Sequence, residues 1–246
     1  MSTTRLDYSA DGRSFCGQLA CPDVQGKVPG VLIFPEAPGL GPHVMRRAAA
    51  LAQMNCVALA ADLHGDGVLL RDPKTVRAGI DELKREPERL QRRLQASLQA
   101  LAQVPQVDPE RMAAIGYCFG GWCALELARD GAPLRGVGIF HGSVSSPRAD
   151  TAAQIRGKLL VCSGASDPLV PVEQITAFTQ EMTAAGVDWQ VHLYGGTCHG
   201  FTSPEAGGNS LPGFAYSALA DRRSWAALST FLGEIFEMEM AHGLRG

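Results

Sequence analysis

The chain lacks a basic excess: 22 Lys and Arg stand against 25 Asp and Glu, a formal net charge of −3. No basic stripe stands out, which argues against the electrostatic footprint of a nucleic-acid binder and leaves room only for a locally positive pocket. No window approaches the roughly 18 apolar residues of a membrane span. The opening stretch MSTTRLDYSADGRSF has neither an apolar core nor a small-residue cleavage site, so no signal peptide and no membrane partner are expected. The seven cysteines, at 16, 21, 56, 118, 123, 162 and 198, include no CxxC pair, so no zinc site or other metal is expected, and no cofactor. They read as free thiols of a reducing cytoplasm, most of them small core residues. With 46% hydrophobic and only 19% charged residues, the chain is too apolar for disorder.

What is present is alternation. Apolar runs of strand length, at 28–37, 56–63, 111–118, 135–142, 158–167 and 189–196, are separated by longer segments of helical period. Each run is near-continuously apolar, the pattern of strands covered on both faces. In 87–103, Leu90, Leu94, Leu98 and Leu101 mark one helix face, while Arg85, Arg89, Arg92 and Arg93 are expected on solvated faces. A similar stripe (Trp225, Leu228, Phe231, Leu232, Ile235 and Phe236) runs through 217–240. The β-α-β order predicts an α/β fold with a mostly parallel central sheet wrapped by helices. Residues 5–21, with Asp11-Gly12 in the middle, predict an antiparallel hairpin. With no repeat or linker, residues 1–246 read as a single domain.

Ligands of such sheets bind beyond the carboxyl ends of the strands. Four ends carry chemistry: Glu36 in LIFPEAPG, Cys118 in IGYCFGG, Asp167 in VCSGASDPLVP and His199 in HLYGGTCHGF. A glycine-framed strand-to-helix corner holds one side chain exposed in a strained conformation, with Gly116 and Gly120 leaving room for the neighbouring backbone. The helix beyond it aims N–H groups at the corner, which favours a thiolate. The N–H of Phe119 would face a developing oxyanion, with that of Ala37 as the second donor. A thiol nucleophile needs a base, and the base an orienter. His199 and Asp167 suit those roles and follow in the chain order nucleophile, acid, histidine.

Together GYCFGG, SGASDPLVP, CHGF and the upstream PE resemble the dienelactone hydrolase family of α/β-hydrolases, from about Arg13 to the C-terminal helix. The resemblance implies an α/β-hydrolase fold with helices on both faces of the sheet. It also implies a Cys118–Asp167–His199 triad acting on the carbonyl of a small-molecule ester or lactone, as in a carboxymethylenebutenolidase. Glu36 would hold the resting thiol neutral and turned away until substrate frees it. Relatives that take dienelactone grip its carboxylate with arginines, one soon after the histidine. Here no arginine follows His199 until Arg222, leaving Arg71 or Arg77 for that task.

Plainer readings stand beside these. Asp167 also suits a turn or a helix cap, Glu36 a solvated loop, and Cys118 a buried turn cysteine. Tyr117 and Trp122 either line the pocket or pack. Cys198 reads as a spectator thiol and Cys123 as helix packing. Asp62, His64 and Asp66 in DLHGDG read as loop polarity rather than a metal site. Segments 64–90 and 203–214 are expected to rim the pocket. The leading expectation is a cytoplasmic ester or lactone hydrolase, monomeric or a small homo-oligomer; the alternative is a ligand-binding or sensor protein on the same scaffold.

Overall fold

The computed structural model describes residues 1–208 and 212–238. The chain forms two compact units, Met1–Ala114 and Ile115–Gly246, whose boundary falls inside one strand.

The first unit opens on a hairpin of β1 (Ser2–Ala10) and β2 (Arg13–Cys21), paired antiparallel through the two-residue turn Asp11-Gly12. Both turn residues have positive φ, 52° and 72°. That is the conformation whose twist matches the flanking strands, and Asp-Gly tolerates it. The hairpin starts three residues before the expected position. β3 (Val28–Phe34) and β4 (Val57–Ala60) pair in parallel, and β2 runs antiparallel to β4. Every residue of β3 and β4 is buried, as their unbroken apolar runs require. α1 (Pro42–Gln53), α2 (Pro73–Arg85) and α3 (Pro87–Ala102) each place a proline at the first helical turn, where a missing N–H costs nothing. β5 (Val107–Tyr117) follows, giving the order β1-β2-β4-β3-β5.

The second unit continues from the end of β5 through α4 (Phe119–Arg129), β6 (Gly136–Phe140), β7 (Lys158–Gly164), α5 (Val172–Ala184), β8 (Trp189–Tyr194) and α6 (Ala218–Phe236). Its order is β5-β6-β7-β8, with β6, β7 and β8 paired in parallel. Ser217 caps α6 by accepting from the Ala220 N–H at 3.3 Å.

Three expectations are corrected. Arg93 is buried, not solvated: it donates to the Leu63 carbonyl at 2.8 Å and lies over the Phe15 ring at 5.2 Å. It sits three residues after Leu90 and four before Ser97, inside the stripe rather than beside it, because that face is wider than its leucines alone suggest. β8 is an edge strand, and only Tyr194 of it is buried. Its apolar run therefore covers one face, not two. Only Cys56, Cys123 and Cys162 are buried among the seven thiols; Cys16 and Cys21 lie half-exposed on the peripheral hairpin, and Cys118 and Cys198 on strand-end turns. The stripe expected over 217–240 holds to Phe236; residues 239–240 and 209–211 of the expected rim lie outside the described residues.

Candidate active site

Cys118 is the single residue between β5 and α4. Its φ of 54° and ψ of −118° belong to a region that residues with a Cβ rarely adopt. The conformation is held from both sides. The Cys118 N–H donates to the Phe140 carbonyl at 3.0 Å, and its carbonyl accepts from Gly121 at 3.0 Å. Glycine is compulsory at 116: a Cβ there would lie 2.0 Å from the Gly120 carbonyl oxygen. Gly142 plays a matching part beyond β6, since a Cβ there would come within 2.8 Å of the Cys118 carbonyl. As the first residue of α4, Phe119 has an N–H with no partner inside the helix.

Asp167 and His199 meet because two turns are stitched together. Beyond β7, Ala165 donates to the Tyr194 carbonyl and Ser166 to the Thr197 carbonyl, both at 2.9 Å. Gly164 permits this approach, a Cβ there falling 2.2 Å from the Thr197 oxygen. The His199 backbone is clamped by Gly213 and Ala215 at 2.9 and 3.1 Å. Its Nδ1 lies 2.8 Å from Asp167 Oδ2, with both side chains buried. Asp167 Oδ1 accepts from the N–H groups of Leu169 and Val170 at 2.8 and 3.2 Å. The carboxylate is thus a turn former and the histidine's partner at once.

With Nδ1–H donated to Asp167, the proton-accepting atom of neutral His199 is Nε2, which has no hydrogen-bond partner within normal distance. Burial pushes the His199 pKa down, but the bond to Asp167 and the interaction with Cys118 outweigh it, leaving it raised to about 10. Around neutral pH His199 is therefore an imidazolium.

The ring of His199 is held between Phe214, with centroids 4.7 Å apart, and His141, 5.1 Å away, both edge-on. His141, fully buried at the end of β6, has Nε2 2.8 Å from Thr202 Oγ1. These supports were not read from the sequence. His141 ends an apolar run in a Phe-His-Gly corner resembling the strand end at Cys118, the one signal that could have flagged it. Tyr117 is fully buried, stacked on Phe140 at 5.0 Å. Trp122 is also buried; it stacks on Phe119 at 5.7 Å and donates to the Ser145 carbonyl at 3.1 Å. Both pack against the corner.

In the first unit, Glu36 follows β3 and its Oε1 lies 2.5 Å from His43 Nδ1, while Arg47 donates to His43 Nε2 at 3.1 Å. His43, the buried link of this Arg47–His43–Glu36 chain, had no motif to announce it. The Ala37 carbonyl lies 2.7 Å from His64 Nε2. Arg77 grips Asp81 at 2.9 Å on the exposed face of α2, and Arg71 is exposed just before that helix. Asp62 explains the polar DLHGDG loop. Its carboxylate accepts from four backbone N–H groups, of Cys16, His64, Gly65 and Gly67, at 2.8–3.1 Å. No cluster of three metal-ligating side chains occurs among the described residues, and no helix there is long and apolar enough to cross a membrane.

Comparison with known proteins agrees with this geometry. The dienelactone hydrolase family model matches residues 15–236. The chain belongs to the dienelactone hydrolase family. A solved structure titled as a dienelactone hydrolase-like promiscuous phosphotriesterase, P91, from metagenomic libraries, is 41% identical and superposes with a TM-score of 0.92, over 96% of this chain and 98% of that one. A Bradyrhizobium protein named "Probable 2-oxo-3-(5-oxofuran-2-ylidene)propanoate lactonase" is 27% identical over 80% of this chain and 82% of its own. An uncharacterized Caenorhabditis elegans protein is 37% identical over 60% of this chain and 95% of its own. The fold is accordingly that of the α/β-hydrolases, and this dienelactone hydrolase family member is an ester or lactone hydrolase.

Proposed function

We propose that this dienelactone hydrolase family member cleaves small-molecule esters or lactones through an acyl-cysteine on Cys118. The observation that carries the reading is His199, bonded to Asp167 through Nδ1, with Nε2 unpartnered and its pKa lifted partly by Cys118. The Cys118 thiolate attacks the carbonyl carbon, and the resulting oxyanion is met by the Phe119 N–H. Collapse breaks the acyl C–O bond, and the leaving alkoxide takes the proton of the His199 imidazolium. Neutral His199 then accepts a proton from water as that water attacks the thioester carbon, and the thiolate departs. Asp167 fixes the tautomer throughout. The parts expected of Glu36 and of the Ala37 N–H belong to the same proposal, and Glu36→Gln tests the first of them. Tyr117 and Trp122 enter it as packing that shapes the corner. Arg71 and Arg77 are retained only as candidate grips for an anionic substrate, Arg77 at the cost of its pair with Asp81.

A burst assay with p-nitrophenyl acetate, run on wild type and Cys118→Ala and followed by intact mass, tests this. Wild type should turn over and carry a transient acetyl adduct that the alanine variant lacks. Product release with no adduct, or equal turnover in the variant, would refute the acyl-cysteine. The 41% identical structure, described as a promiscuous phosphotriesterase, supports a second reading, attack of the same thiolate on a phosphotriester, so paraoxon belongs among the substrates assayed.

A further inference from the structure

We infer that β1 is a self-pairing edge, through which two copies of this chain join their hairpins antiparallel about Leu6. β1 closes one end of the first unit's strand order, with β2 as its neighbour. In a hairpin with a two-residue loop, the residues flanking the turn exchange hydrogen bonds, and bonded pairs then alternate along the strand. Ala10 opposite Arg13 is such a pair. It follows that Thr3, Arg5, Asp7 and Ser9 point their backbone groups away from β2, a row of open donors and acceptors. All four residues are exposed.

Charge singles out one register. If Leu6 lies opposite the partner copy's Leu6, then Arg5 faces the copy's Asp7, and Thr3 faces its Ser9. All four outward residues then meet outward residues. Sliding by two residues, the smallest shift that again sets outward residues opposite outward ones, puts Arg5 against Arg5 in one direction and Asp7 against Asp7 in the other, which like-charge repulsion disfavours. Within one chain Arg5 and Asp7 already touch at 2.6 Å, so pairing would close a square of two positive and two negative charges.

The other face of the strand points the same way. Leu6 and Tyr8, half-buried, line a groove of about 530 Å³ with Leu19 and with Ala96, Ala100 and Val104 on or just beyond α3. None of the proposed catalytic residues lies in it. A second copy's Leu6 would enter at the middle of this groove, across the two-fold axis. This makes the contact isologous and self-limiting.

Sedimentation velocity over a range of concentrations tests the proposal on wild type, Arg5→Asp, Asp7→Arg and the double swap. Wild type should dimerise, each single swap should weaken the dimer at least tenfold, and the double swap should restore it. A second measurement uses Leu6→Cys. Its paired Cα atoms would lie about 4.5 Å apart, within disulfide reach, so mild oxidation should give a covalent dimer that Ser2→Cys does not. A wild type monomeric at all concentrations would overturn the inference and leave the edge to some other partner. So would a dimer indifferent to the single swaps, or a double swap that fails to recover. Esterase activity and near-UV circular dichroism should stay unchanged throughout, since β1 holds none of the proposed catalytic groups.

Discussion

Replacing Cys118 by alanine should change the titration of a residue it does not adjoin in sequence. In the native site His199 is raised from 6.5 to about 10. At about 1.4 kcal/mol per pKa unit, that gap favours the imidazolium by roughly 5 kcal/mol. Burial works in the opposite sense, so Asp167 and Cys118 together supply more than this net value. Cys118→Ala removes one of the two and leaves both burial and the 2.8 Å bond to Asp167 in place. The His199 pKa should therefore fall by a unit or more, roughly 1.4 kcal/mol at least. The imidazole Cε1–H resonance, followed by NMR from pH 5 to 11 and assigned with His199→Gln, reads this directly. An unchanged midpoint in Cys118→Ala would refute the contribution of Cys118 and leave Asp167 as the sole support of the raised value.

Three further outcomes are expected. Gly116→Ala, forced 2.0 Å from the Gly120 carbonyl, should lose about 3 kcal/mol in urea unfolding and slow iodoacetamide alkylation of Cys118. Asp62→Ala strands four backbone N–H groups and should cost roughly 4–6 kcal/mol, a large part of a domain's stability, seen as a collapse of Tm. His141→Phe keeps a ring edge against His199 but loses the contact with Thr202, and should lower kcat about tenfold with little change in KM; Thr202→Val should behave alike.

Strand ends were legible because a parallel strand buried on both faces writes itself as an unbroken apolar run, and chemistry collects where the run stops. Cys118, Asp167 and His199, the residues of the proposed triad, stand just beyond such runs, with glycines marking close backbone approach. The hairpin was legible from Asp11-Gly12 alone. Arg93 was misjudged because a guanidinium in an apolar stripe looks like a boundary of that stripe until a carbonyl such as that of Leu63 is seen to receive it. β8 was misjudged because residue type records affinity for a covered face but not how many faces are covered. His141, Thr202 and His43 stayed hidden for another reason. Each acts through a partner that only tertiary structure brings near or turns toward it, so no spacing rule reaches them.

The backbone angles of Cys118 have a consequence for the gene as well as for the enzyme. A conformation with φ of 54° and ψ of −118° suits glycine far better than cysteine. Cys118→Gly should thus yield a protein that is sturdier than the native one and chemically inert. On the proposed mechanism, drift toward stability alone would erase the nucleophile, and keeping cysteine at this corner exchanges a sturdier fold for the thiol that the mechanism requires.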